Sequence, residues 1–118
     1  MSFGRADALH RSAEFIRLQR RGVRVESAHF VLYAGKLEDD AGRSRLGVTV
    51  SRRIGNAVVR NRVKRRVREI FRGRIRGAIP AGVSLVVIAR AGAGNLASAA
   101  IGVELDAAAR SVVARIKA

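Results

Sequence analysis

Between Ser51 and Arg76 the chain concentrates eleven of its 24 Lys and Arg residues against one acid, Glu69. That stretch carries +10 of a formal net charge of +15. Such a run cannot be buried, so its apolar residues decide how it sits on a core. Val59, Val63, Val67 and Ile70 recur at i, i+4, i+8 and i+11, the spacing of one buried helical face. At 100° per residue, Asn61, Arg62, Arg65, Arg68 and Arg72 fall on the other side. The spacing predicts a helix that docks through valines and turns a row of guanidinium groups outward.

The basic excess, 24 cations to nine acids, calls for a polyanionic partner. Of the cations, 21 are Arg, whose planar fork grips phosphate at two points and stacks on bases. A solvated helix face ordinarily mixes signs in i,i+4 pairs, whereas residues 60–76 hold nine bases and one acid. A membrane-surface helix would carry Trp or Leu on its apolar side, and here there are valines. Self-repulsion on this scale opposes the compact state at low salt. Sulfate, phosphate or RNA is therefore expected to raise helix content and melting temperature. A circular dichroism spectrum unchanged by sulfate would contradict this.

A length of 118 residues with 48% apolar content suits one domain with one modest core. The chain has no Cys, so disulfides and thiolate metal sites are excluded. Its opening residues lack an apolar signal segment, and Val83–Ala89 is too short to span a bilayer. The expectation is a soluble, monomeric, cytoplasmic protein with no membrane association.

Residues 1–10 read as loose. A short helix is expected over residues 11–21, with Ser12 as N-cap and Gly22 as its end. Residues 23–34 read as one strand, Gly35–Ser44 as a polar turn, and residues 45–51 as a strand pairing back on the first. Asn56 is the expected N-cap of the basic helix, which should run to Arg72 and stop at Gly73. Val83–Ala89 has the near-continuous apolar pattern of an inner strand. A last helix, capped by Asn95 or Ser98, reaches to about Ile116. The order is α-β-β-α-β-α, an α+β domain with one mixed sheet packed by helices. A parallel pairing of the strands at 45 and 83 would make the basic helix a β-α-β crossover.

No catalytic constellation stands out. His10 and His29 have no neighbours at metal-ligand spacing. Asp39 and Asp40 are adjacent in a glycine-flanked turn and do not face each other. Ser51 has no base partner. The Gly55-Asn56-Ala57 opening of the helix, flanked by Arg52, Arg53, Arg60 and Arg62, does suit an anion. On charge alone, a small ribosomal-type binding module fits as well as any RNA-processing protein, and an autonomous nuclease fits less well.

The run GNAVVRNRVKRRVREIFR, preceded by RLGVTVSRRI, resembles the signature of the protein subunit of bacterial ribonuclease P. Its RNR core stands here as Arg60, Asn61 and Arg62, continued by Val63, Lys64 and Arg65. Ala13-Glu14-Phe15, His29 to Tyr33 and Val86 to Arg90 resemble that family's opening helix, first strand and last strand. The resemblance implies a left-handed β-α-β crossover and the role of cofactor to a ribozyme that removes the 5′ leader from precursor tRNA. Its partners would be ribonuclease P RNA and precursor tRNA. Hydrolysis would belong to the RNA and Mg²⁺ bound mainly by it, with no catalytic or metal-binding residue in the protein. Arg52, Arg53, Asn56, Arg60, Asn61, Arg62, Lys64, Arg65 and Arg68 would hold the catalytic RNA. Phe15, Gln19, Tyr33 and Val48 would line the leader cleft, Gln19 standing where an aromatic is common.

Overall fold

A computed structural model describes residues 8–9, 12–37 and 43–117. His10, Asp39, Asp40 and most of the segment expected to be loose lie outside the described residues. The elements are α1 (Ser12–Arg21), β1 (Val23–Glu26), β2 (Phe30–Lys36), β3 (Leu46–Thr49), α2 (Ala57–Ile70), α3 (Arg76–Ala78), β4 (Val83–Ala89) and α4 (Ser98–Lys117). They form one α+β domain around a four-stranded mixed sheet of order β1-β2-β4-β3.

β4 occupies the interior position its composition asked for. It pairs antiparallel with β2 from Phe30↔Ala89 to Lys36↔Val83, and parallel with β3 from Leu46↔Leu85 to Thr49↔Ile88. The expected pairing of the strand at 45 with the first strand is thus corrected: β4 lies between them. Helix α2 is the crossover joining the parallel pair. Residues 8–9 extend this edge, with Leu9 N–H donating to Leu46 O at 3.0 Å.

The single strand expected over residues 23–34 is a hairpin instead, broken at Ser27–His29. Ser27 N–H and Oγ both donate to Phe30 O. Glu104 of α4 accepts from Ser27 Oγ and from His29 N–H at 2.7 Å, and meets His29 Nδ1 at 2.8 Å. Partial burial pushes the Glu104 carboxyl up, but the bonds from Ser27 and His29 outweigh it and leave its pKa below the ordinary 4.5. A carboxylate with a depressed folded-state pKa stabilises fully above its unfolded value and loses that contribution as pH falls through the folded one. Acid unfolding below about pH 4.5 should therefore be blunted in Glu104→Gln, a comparison made by pH titration of the melting temperature.

Side chains alternate across the sheet. Phe30, Leu32, Ala34, Leu46, Leu85 and Val87 face the main core with Val63, Val67, Phe71 and Ile75 below α2 and Ile101, Leu105 and Val112 of α4. On the other face α1 seats Leu18 and Phe15 against Tyr33, Val86 and Ile88. Gly22 closes α1 because a Cβ there would meet Leu18 O at 2.5 Å and Ala34 O at 2.6 Å. Each fully buried large apolar side chain contributes about 1.5–3 kcal/mol.

The basic helix does not stop at Gly73. It widens into a π-turn over Phe71–Ile75, continues through α3, and ends at Ile79, which is extended before Pro80. A glycine inside a helix costs about 1 kcal/mol, less than the burial of Phe71 and Ile75 on either side of it returns. Helix α4 starts one residue after Ala97, whose carbonyl accepts from Ile101 N–H at 3.1 Å, so neither Asn95 nor Ser98 occupies the cap position.

Candidate nucleic-acid interface

The start of α2 is built as the sequence suggests. Asn56 Oδ1 accepts from Val59 N–H at 3.0 Å, and Arg52–Ile54 form a 3₁₀ turn that leaves Arg52 and Arg53 exposed. Gly55 is required because a Cβ there would lie 2.9 Å from Val59 Cβ. Asn56 is thereby committed to capping through its side-chain oxygen, and Ala57–Val59 present the positive end of the helix beside the two arginines.

The cations of α2 divide into two sets. Asn61, Arg65 and Arg68 are exposed, while Arg60, Arg62, Lys64 and Arg66 are half-buried. Arg62 Nη2 donates to Gly94 O at 2.9 Å, and Arg66 Nη1 donates to Leu96 O at 2.9 Å. These two guanidinium groups staple the 91–97 loop to α2. Arg74 Nη1, one turn past the helix, meets Asp106 of α4 at 3.0 Å. Arg62, expected on the free RNA face, therefore also carries part of the fold. Arg65 has only a long exposed pair with Glu69 at 3.8 Å, which is worth little.

On the opposite face of the sheet, Phe15 and Tyr33 are half-buried in one cluster with Ile88 over Val86, Leu18, Leu9 and Leu37. Phe15 lies flat against β3 because Gly47 offers no side chain; a Cβ there would stand 2.9 Å from Phe15 Cε1. Gln19 is exposed on α1. Val48 is a correction. Strand alternation turns it to the main core below the sheet, and its neighbours Gly47 and Thr49 face α1 instead.

Sequence reasoning passed over three features of this face. Glu14 of α1 and Arg45 form an ion pair at the entry to β3, Arg45 N–H also donating to Ser84 Oγ at 3.0 Å. Gly47 was read only as part of an alternating strand. Arg24 Nε donates to Tyr33 Oη at 3.1 Å, and its pKa is raised first by that bond and then by Glu26. The period-2 pattern places Arg24 and Tyr33 on outward faces, but only the hairpin register makes them neighbours.

The family model for ribonuclease P matches residues 3–113. The chain belongs to the ribonuclease P protein family. A ribonuclease P protein component from Brevibacillus brevis is 46% identical over 88 residues, covering 75% of this chain and 68% of the relative. The Staphylococcus aureus RNase P protein superimposes with a TM-score of 0.79 at 29% identity, over 91% of this chain and 97% of that one. The Thermotoga maritima RNase P protein gives 0.75 at 31% identity, over 87% and 96%. This ribonuclease P protein chain is accordingly a component of an endoribonuclease holoenzyme, with ribonuclease P RNA as its partner. Among the described residues no helix is long and apolar enough to cross a membrane. Nor do three His, Asp or Glu side chains gather there at metal-holding distance. The described residues thus do not fit a resident Mg²⁺ site.

Proposed function

We propose that this chain binds ribonuclease P RNA through α2 and the 5′ leader of precursor tRNA through the Phe15–Tyr33 cleft, promoting removal of the leader. The observation that carries this reading is that the two surfaces lie on opposite faces of one sheet. A single rigid domain can then touch two RNAs at once. Arg52, Arg53, Arg60, Asn61, Lys64, Arg65 and Arg68 meet phosphates of the catalytic RNA, Arg62 shares that work with its bond to Gly94, and Asn56 contributes by capping the helix whose N-terminus meets the anion. Phe15 and Tyr33 offer ring faces to leader bases, and Gln19 adds an amide at the cleft's end where a further ring would stack. Val48 acts from below, as packing.

Hydrolysis belongs to the RNA and its Mg²⁺. The protein screens repulsion between the two RNAs, which lowers the Mg²⁺ concentration needed. It works as a cytoplasmic monomer. Base stacking on an aromatic is worth roughly 1–3 kcal/mol per base. Phe15→Ala should accordingly weaken precursor tRNA binding by about 5- to 150-fold and leave mature tRNA and holoenzyme assembly unchanged. Equal loss for both tRNAs would show core damage instead.

A further inference from the structure

The α1-side face of the sheet does not end at Tyr33. In the hairpin register Arg24 of β1 lies directly beside Tyr33, and both point away from the main core because Val25 points into it. The Arg24 guanidinium hydrogen-bonds the Tyr33 hydroxyl at 3.1 Å, with its carbon 5.9 Å from the ring centre. It also pairs with Glu26, two residues along the same face, and both partners are about half exposed (49% and 48%). Arg90, just past β4, approaches the same carboxylate at 3.9 Å and donates to Ser27 O at 3.1 Å. The result is a carboxylate between two guanidinium groups, at the open edge of an aromatic cleft. The Arg24 backbone is itself tied down, since Arg115 of α4 donates to its carbonyl.

We propose that Arg24 and Arg90 form a phosphate site that continues the leader path past Tyr33 to the β1 edge, and that Glu26 holds this site in the free protein until a leader phosphate displaces it. The proposal rests on the leader reading above. A base stacked on Tyr33 carries its neighbouring phosphate toward the cation beside the ring. Arg offers the planar two-point fork that phosphate takes as readily as carboxylate. An exposed ion pair contributes little to stability, so exchanging Glu26 for phosphate opposes binding only weakly.

The test uses the reconstituted holoenzyme and precursor tRNAs with short and long leaders, with mature tRNA as control, titrated across salt. Arg24→Ala should reduce the salt slope for the long-leader precursor by about 0.7, the value for one single-strand phosphate contact. At about 0.1 M salt that corresponds to a roughly five-fold loss of affinity. Short-leader and mature tRNA should be unaffected. Glu26→Gln should act oppositely, tightening the long-leader precursor and steepening its slope. Arg24→Lys, which keeps the charge, should restore the slope. Arg24→Ala and Glu26→Gln both matching the parent, while Phe15→Ala still removes the precursor preference, would overturn this proposal and spare the leader reading. An intact precursor preference in Phe15→Ala would overturn both. Equal losses on mature tRNA would assign Arg24 to the fold and also refute the proposal.

Discussion

Alanine at Arg65 and Arg68 together is expected to leave the fold intact and weaken association with ribonuclease P RNA about a hundred-fold. Both side chains are exposed, and neither contributes a hydrogen bond that holds another element. A hydrogen bond to a charged group nets about 1.5 kcal/mol or more, close to ten-fold in affinity for each contact. The salt slope of assembly should fall by about two, one for each phosphate released. The same substitutions at Arg62 and Arg66 would not be clean. They would free Gly94 O and Leu96 O and loosen the loop that leads into α4, mixing lost contacts with lost order. Filter binding across salt separates the cases: Arg65 and Arg68 change the slope, whereas a folding defect changes melting. An unchanged slope in the Arg65/Arg68 variant would remove the exposed row of α2 from the RNA interface.

The second large effect is on stability. Phe71→Ala should destabilise the protein by about 3–5 kcal/mol, because the ring is fully buried and its removal leaves a cavity under the π-turn. Against a typical total of about 5–15 kcal/mol, this lowers the melting temperature by roughly 10–20 °C. The ring also lies 5.3 Å from the Arg76 guanidinium carbon, so its loss removes a cation–π contact as well as apolar area. Thermal melting followed by circular dichroism in a fixed phosphate buffer reads the effect. A shift of only a few degrees would mean that Phe71 is not the keystone between α2 and the sheet.

The elements that sequence made legible are those whose evidence is local. The apolar run of β4 requires cover on both faces and receives it. Asn56 caps because its side chain reaches a backbone N–H three residues on. What stayed hidden is non-local. Alternation in Leu46–Thr49 names a buried face but not a neighbour, so the parallel pairing with β4 and the side taken by Val48 were beyond it. The break at Ser27–His29 depends on Glu104, more than seventy residues away. Gly73 signalled a stop that tertiary packing at Phe71 and Ile75 overrides. A helical wheel likewise gives the direction of Arg62 and Arg66 but not the carbonyls of a loop thirty residues downstream. The aromatic cleft was approached only through family resemblance. The role of Gly47 in seating Phe15 needed coordinates.

The account stands most directly on cleavage of precursor tRNA at low Mg²⁺ by bacterial ribonuclease P RNA, measured with this protein, without it, and with the protein alone. Cleavage at the mature 5′ end only when RNA and protein are both present is the predicted result. Tight RNA binding with no stimulation would contradict the cofactor role and favour a simple binding module, and cleavage by the protein alone would contradict the assignment of chemistry to the RNA.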